Sequence, residues 1–182
     1  MGLQIFEARY IDLISDCMKT NSGFGVILIR EGLEVVIPEV ESSINPKFAP
    51  IGTLAKIVDW DKLPNGLLGV TIEGEKKFRL LSSFQENNNL HMAEVEFLAP
   101  EQKAPLPEEA HSLDGLLNEL VQHPHIAKLN IDPVIDDVSQ LGSVLAQLLP
   151  IDEGIKFALL AEVDPHRRLH RLISMLEGYD PE

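Results

Sequence analysis

Bases are scarce in this chain: 15 Lys and Arg stand against 29 Asp and Glu, a formal net charge of −14 at pH 7. Residues 1–100 hold 14 acids and 9 bases, and residues 101–182 hold 15 and 6, so the second part is the more acidic. Gripping a polyanion requires clustered Lys and Arg to neutralise phosphates, and nucleic acid is therefore not expected as a partner. The dense basic runs, Lys76-Lys77-Phe78-Arg79 and Arg167-Arg168 with Arg171, read as solvated faces. A single cysteine, Cys17, excludes an internal disulfide and any thiolate metal cluster. It falls on the apolar side of a predicted helix, where free Cys behaves as a small buried hydrophobe. No run approaches 18 apolar residues, and no charged-then-apolar leader opens the chain, so a cytoplasmic protein without a membrane span is expected.

Motifs are missing as well. The chain has no G-x-x-x-x-G-K-[ST] loop to cradle phosphates and no Gly-x-Gly-x-x-Gly. It has no G-x-S-x-G elbow to present a nucleophilic serine. These gaps speak against nucleotide hydrolysis and acyl transfer.

What is there is ordinary globular material, 45% hydrophobic and 24% charged, long enough to bury a core without staples. Tyr10, Leu13, Ile14 and Cys17 recur at helical spacing and predict a helix over Ala8–Lys19, stopped by Asn21-Ser22-Gly23. Segments rich in β-branched and aromatic residues follow, predicting strands near Phe24–Arg30, Leu33–Ile37, Ile51–Trp60, Leu67–Glu73, Lys76–Phe84 and Leu90–Leu98. Glu31-Gly32, Pro64-Asn65-Gly66 and Gly74-Glu75 have hairpin chemistry. In the last strand Ala93, Val95 and Phe97 alternate with Glu94 and Glu96. Such a series suggests a compact antiparallel barrel or sandwich. Pro38–Pro50 reads as a long loop carrying one aromatic, Phe48, and long loops of this kind are often functional.

Beyond a connector at Pro100–Pro107 the pattern turns helical. Pro107 suits a first helical position, and Leu113, Leu116, Leu117, Leu120 and Val121 form an apolar stripe. Further helices are predicted over Asp136–Leu149, over Glu153–Glu162 capped by Asp152, and from Asp164-Pro165 to Glu177 before Gly178. The class is α+β, with an antiparallel β domain over residues 1–100 and an α-helical region over residues 101–182, packed on or after it.

Candidate chemistry is thin. His166 and His170 are spaced i, i+4 on a helix, half of a zinc site, but Arg167 stands where a His-Glu-x-x-His motif has its glutamate. The reading is an exposed helix face, and no metal or cofactor is assigned. His123-Pro124-His125 reads as a helix end, and His91 as a packed strand residue. Asp59 with Asp61, and Glu73 with Glu75, could do acid–base work only if burial separated their pKa values. At strand ends and turns they read as solvated. Glu7 and Arg9 are placed to form a structural ion pair. Trp60, the sole tryptophan, reads as a core plug or a peptide anchor, with core favoured; for Phe48 the balance tips to binding.

Several stretches together resemble the amino-terminal, substrate-binding domain family of Lon proteases. Leu3-Gln4-Ile5-Phe6-Glu7-Ala8-Arg9-Tyr10 is similar to the family's opening signature, and Phe24-Gly25-Val26 to the strand after its first helix. Ile51-Gly52-Thr53-Leu54-Ala55-Lys56-Ile57 resembles its Val-Gly-Thr-x-Ala strand. Leu63-Pro64-Asn65-Gly66 is like its hairpin, Glu73-Gly74-Glu75-Lys76-Lys77-Phe78-Arg79 like its Glu-Gly-x-x-Arg-Phe element, and Leu159–Glu162 through Arg168-Leu169 like its last helices. The resemblance implies a PUA-like β pseudo-barrel followed by helices. It implies a free-standing, non-catalytic module that binds unfolded or partly apolar protein segments, with Phe48 and Trp60 as peptide-binding candidates. A Lon-type ATPase acting in trans is a partner the resemblance allows. The alternatives are an enzyme using the carboxylate pairs or His166 and His170, and a PUA-like RNA-binding module. Two departures stand out: Ala8 replaces a common Pro, and the family's strand before Leu3 is missing. That gap predicts an open amino-terminal edge, offered for self-association or covered by the helices.

Overall fold

The aliphatic stretch at the start of the chain is itself a strand. Gly2–Ile5 (β1) pairs antiparallel with Leu68–Thr71, from Gly2 opposite Thr71 to Ile5 opposite Leu68. Among the described residues β1 pairs with β4 alone, so the edge expected at the amino terminus belongs to β1 rather than to the strand behind it. Four residues with no turn signal ahead of them are too short to register as a strand in the sequence pattern.

The computed structural model describes residues 1–31, 47–127, 131 and 134–178, with the main chain alone at Asp114. They divide into two compact units, Met1–Pro100 and Glu101–Glu182. In the first, Ala8–Thr20 (α1) buries Ile14 and Cys17. It ends as expected: Asn21 adopts the left-handed conformation at φ 51°, and the Ser22 N–H donates to the Cys17 carbonyl at 3.0 Å. Such a turn satisfies carbonyls that the helix leaves open.

Four further strands are described: β2 (Phe24–Glu31), β3 (Lys47–Lys62), β4 (Leu68–Gln85) and β5 (His91–Phe97). All pairs are antiparallel, in the order β1-β4-β3-β2, with β5 also on β4. β1 pairs with residues 68–71 of β4 and β5 with residues 78–85, so the two lie end to end along one side of it. The sheet's core joins Ile5, Ile14, Ala55, Val70 and Ile72.

Two expectations need correction here. Gly74-Glu75 is not a hairpin turn: Leu67–Glu73 and Lys76–Phe84 belong to one long strand, β4. Gly74 faces Ala55 and Lys76 faces Leu54, so Glu75 is an extra residue bulged out of the ladder. Glycine marks turns and bulges alike, and only the shared partner β3 tells them apart. Of the predicted loop Pro38–Pro50, Lys47–Pro50 belong to β3; its remainder and the predicted strand Leu33–Ile37 lie outside the described residues. The hairpin at Pro64-Asn65-Gly66 is present. Gly66 has φ +84°, and its N–H donates to the Leu63 carbonyl at 2.9 Å.

The second unit is helical. A single 3-10 turn, Glu108–Ala110, follows Pro107 and leads into α2 (His111–Gln122). Then come α3 (Val138–Leu148), α4 (Glu153–Ala161) and α5 (Pro165–Glu177). Each of the last three opens on an aspartate whose side chain accepts main-chain N–H bonds: Asp137 from Ser139, Asp152 from Gly154, Asp164 from His166 and Arg167. Such caps contribute about 1 kcal/mol each. The apolar stripes meet in a core of Leu117, Val138, Leu141, Leu145 and Leu172, all at 0% exposure. Burying side chains of this size stabilises by about 1.5–3 kcal/mol apiece.

Arg168 sits inside this core, also at 0% exposure, and so does not belong to a solvated basic face. Its two terminal nitrogens grip the Glu101 carboxylate at 2.9 and 2.5 Å. It also donates to the carbonyls of Leu159 at 2.9 Å and Glu162 at 2.5 Å, and to Ser143 Oγ at 3.0 Å. One guanidinium thus joins the end of α4 to α3, α5 and the first residue of the unit.

Candidate functional site

The site grows out of the strict alternation in β5. His91, Ala93, Val95 and Phe97 present one face of that strand and Glu94 and Glu96 the other, while Met92, near its start, also lines the groove. On β4 the partners of the first set are Gln85, Ser83, Leu80 and Phe78, the spacing broken by a bulge between Leu80 and Ser82. The opposite face is polar at its centre: Ser82 Oγ donates to Glu94 at 2.9 Å, and Arg79 pairs with Glu96 at 2.8 Å.

Phe78 forms the floor. Its ring, 4% exposed, has its tip against main chain where side chains would obstruct it. A Cβ on Gly52 would meet Phe78 Cζ at 2.4 Å, and one on Gly25 would meet it at 3.2 Å. Three separate stretches of the chain, around Gly25, Gly52 and Phe78, therefore converge on one contact.

The sheet curls enough to bring its two outer regions together. Phe48, near the start of β3, meets His91, at the start of β5, with ring centroids 5.2 Å apart and edge to face. Phe48 is thus a half-buried strand residue opposite Ile29, not a movable loop residue. Arg9 secures the β4–β5 turn: its Nε pairs with Glu7 at 2.8 Å and its Nη1 donates to the Asn89 carbonyl at 2.6 Å. Asn89 itself adopts φ 66°.

Together these elements enclose an open groove of about 800 Å³ between α1, β1, β2 and the β4–β5 pair. Its wall is largely apolar, and among the described lining residues Glu7, already held by Arg9, is the one carboxylate and there is no Lys or Arg. Large apolar side chains remain exposed around it: Phe6 61%, Phe97 52%, Met92 40% and Leu28 39%. Wetting surface of this kind costs roughly 25 cal/mol per Å², which an apolar ligand would recover on binding.

The two residues singled out for peptide contact are not brought together. Phe48 lines the groove, whereas Trp60 lies in a separate cleft of about 330 Å³ with Met18, Lys56 and Val58. Trp60 is 56% exposed and does not plug the core, because β3 is exposed throughout from Val58 to Lys62. Asp59 and Asp61 accept the Trp60 and Lys62 N–H groups at 2.9 and 2.7 Å. Glu73 is exposed, and Glu75 pairs with Lys56 at 2.5 Å. Asp59, Asp61 and Glu75 are thus engaged with local partners at the surface. His166 and His170 stand on the exposed side of α5, and among the described residues no three His, Cys, Asp or Glu side chains are grouped to hold a metal. Among the same residues no helix is long and apolar enough to cross a membrane. Leu28 and Met92 had no mark in the sequence beyond being apolar, and Phe6 only its place in the opening motif; the curl of the sheet gathers them.

Comparison with known proteins points one way. The profile of the ATP-dependent protease La (LON) substrate-binding domain matches residues 1–178. A crystal structure of a Lon N-terminal domain protein from Xanthomonas campestris superposes with a TM-score of 0.73 at 33% identity, covering 96% of this chain and 88% of that one. The N-terminal domain of a Mycobacterium avium complex Lon protease shares the fold at a TM-score of 0.59 and 16% identity, over 96% of this chain and 87% of that one. Among full-length relatives, the Lon protease of Escherichia coli K12 is 28% identical over 76% of this chain, and that of Vibrio parahaemolyticus 27% over 98%. The chain spans only 18% and 23% of those two proteins.

Proposed function

This chain belongs to the LON substrate-binding domain family, and from that premise we propose that its groove holds apolar-rich segments of unfolded or partly folded proteins. The observation that carries the reading is the ring of exposed apolar side chains, Phe6, Leu28, Met92 and Phe97, around a largely apolar hollow. A volume of about 800 Å³ falls within the usual range for ligand sites and accommodates a few side chains rather than a folded partner. Capture over so small an area is transient, with dissociation constants of roughly 1–100 μM. Phe48 contributes to the groove wall, whereas Trp60, in its own separate cleft, takes no part in the capture. Unfolding and cleavage of the captured segment would fall to a Lon-type ATPase acting in trans.

The test is fluorescence anisotropy with a labelled apolar peptide. Phe97→Asp and Leu28→Asp are expected to weaken binding about tenfold, roughly 1.4 kcal/mol each, while leaving the melting temperature unchanged because both side chains already meet solvent. Equal affinity in the two variants and the parent protein would remove the groove from consideration.

A further inference from the structure

We propose that the bound segment is extended and adds to the sheet as a strand along the edge of β5 from Ala93 to Phe97, with basic residues alternating with apolar ones. The inference rests on the groove reading above and names the shape and chemistry of its ligand.

The register of β5 decides which main-chain groups are available. At one end the Leu98 N–H donates to the Lys77 carbonyl at 2.9 Å; at the other the Glu86 N–H donates to the Leu90 carbonyl at 2.9 Å. In an antiparallel ladder the groups facing a given neighbour recur every second residue. Even-numbered residues of β5 therefore face β4, and the N–H and C=O of Ala93, Val95 and Phe97 point away from it. Among the described residues no strand pairs with that side of β5. An unpaired edge of this kind is a template for another chain.

The side chains on each face set the pattern of the incoming strand. Ala93, Val95 and Phe97 face the groove and remain wholly or partly exposed. Residues of the added strand that point the same way would be apolar and enter the hollow. On the other face stand Glu94, which accepts from Ser82 Oγ, and Glu96, which pairs with Arg79, both exposed and leaving net negative charge at Glu94. Cross-strand neighbours of opposite charge attract and like charges repel, so the intervening residues of the added strand would be Lys or Arg. An apolar helix could fill the hollow but would leave the β5 main chain unpaired.

The probe is a fluorescein-labelled peptide, Val-Lys-Phe-Lys-Val-Lys-Val, measured by anisotropy against the full chain. Two N-methylated forms are compared, one blocking alternate N–H groups on one edge of the peptide and one blocking those on the other. One form is expected to lose about tenfold in affinity and the other to bind like the parent peptide, because only one edge can face β5. Glu94→Lys with Glu96→Lys is expected to weaken this peptide about fivefold and to favour its glutamate counterpart, Val-Glu-Phe-Glu-Val-Glu-Val. Both positions are exposed, so an unchanged melting temperature shows that the variant is folded. If neither N-methylated form differs from the parent peptide, strand addition is overturned, yet loss of binding in Phe97→Asp would still uphold the groove. If the parent peptide and a non-alternating apolar peptide both fail to bind, both readings fall.

Discussion

Replacing Arg168 is the sharpest test of how the helical unit is held together. The guanidinium has 0% exposure and satisfies the Glu101 carboxylate, the carbonyls of Leu159 and Glu162, and Ser143 Oγ. Arg168→Ala would leave Glu101, 12% exposed at its side chain, as a carboxylate without its cation. Breaking a buried pair in this way costs about 3–5 kcal/mol, a large share of the 5–15 kcal/mol that stabilises an ordinary domain. Arg168→Lys keeps the charge, but an ammonium cannot make the paired grip on the carboxylate while also reaching two carbonyls, so roughly half that cost should remain. The double variant Arg168→Met, Glu101→Gln removes both charges. It should lose at least about 1.5 kcal/mol less than the two single changes summed. It should not recover fully, since the Leu159 and Glu162 carbonyls still lack their donor. Urea denaturation followed by far-ultraviolet circular dichroism reports the helices, and emission from the sole tryptophan, Trp60, reports the sheet. A loss below about 1 kcal/mol in Arg168→Ala, or strict additivity in the double variant, would refute the argument.

Other expectations concern the sheet. Gly52→Ala places a Cβ 2.4 Å from Phe78 Cζ; displacing the ring should cost about 1–3 kcal/mol, read as a lower denaturation midpoint by Trp60 emission. Gly66→Val meets no steric neighbour within 4 Å, so its cost comes from φ +84° alone, about 1 kcal/mol or more in the same assay. Phe48→Ala should lower both the denaturation midpoint, by about 1–2 kcal/mol of stability, and the affinity for an apolar peptide, because the ring packs on His91 and lines the groove. Trp60→Ala, followed by circular dichroism because the fluorophore is gone, should change neither, and a loss of peptide affinity there would show that the second cleft takes part.

Local signals were legible where a single element decides the outcome. Residue periodicity located α1, α4 and α5 to within a residue or two. Asp152, Asp164 and Asn21 marked ends through bonds to their own helices. Gly66 announced its turn, and the alternation of β5 announced its faces. Three of the failures were cases in which the deciding partner is distant. Gly74 reads as a turn until its neighbours are seen to share β3. Phe48 reads as a loop residue until Ile29 lies opposite it. Arg168 reads as a surface base until Glu101, 67 positions earlier, closes on it.

That division also separates what marks the family from what would touch a client. Gly25, Gly52 and Phe78 sit in three of the motifs that carry the resemblance, and the structure gives them one steric task, letting the tip of an aromatic ring rest against bare main chain. Arg9, in the opening motif, fastens the β4–β5 turn. These residues build the curl and hold β5 at the rim. The surface itself is supplied by Leu28, Met92, Val95 and Phe97, which need only be apolar and exposed, and which lie outside those motifs. A groove made this way constrains its ligand through shape, main-chain pairing and alternation of charge rather than through a pocket for one side chain. Exchanging one apolar rim residue for another, as in Met92→Leu, should therefore shift affinities among client peptides by no more than about threefold, under 1 kcal/mol. Gly52→Ala, which displaces the floor, should lower the affinity for all of them together. A panel of apolar peptides measured against both variants would distinguish the two effects, and client-selective loss in Gly52→Ala would count against this division of labour.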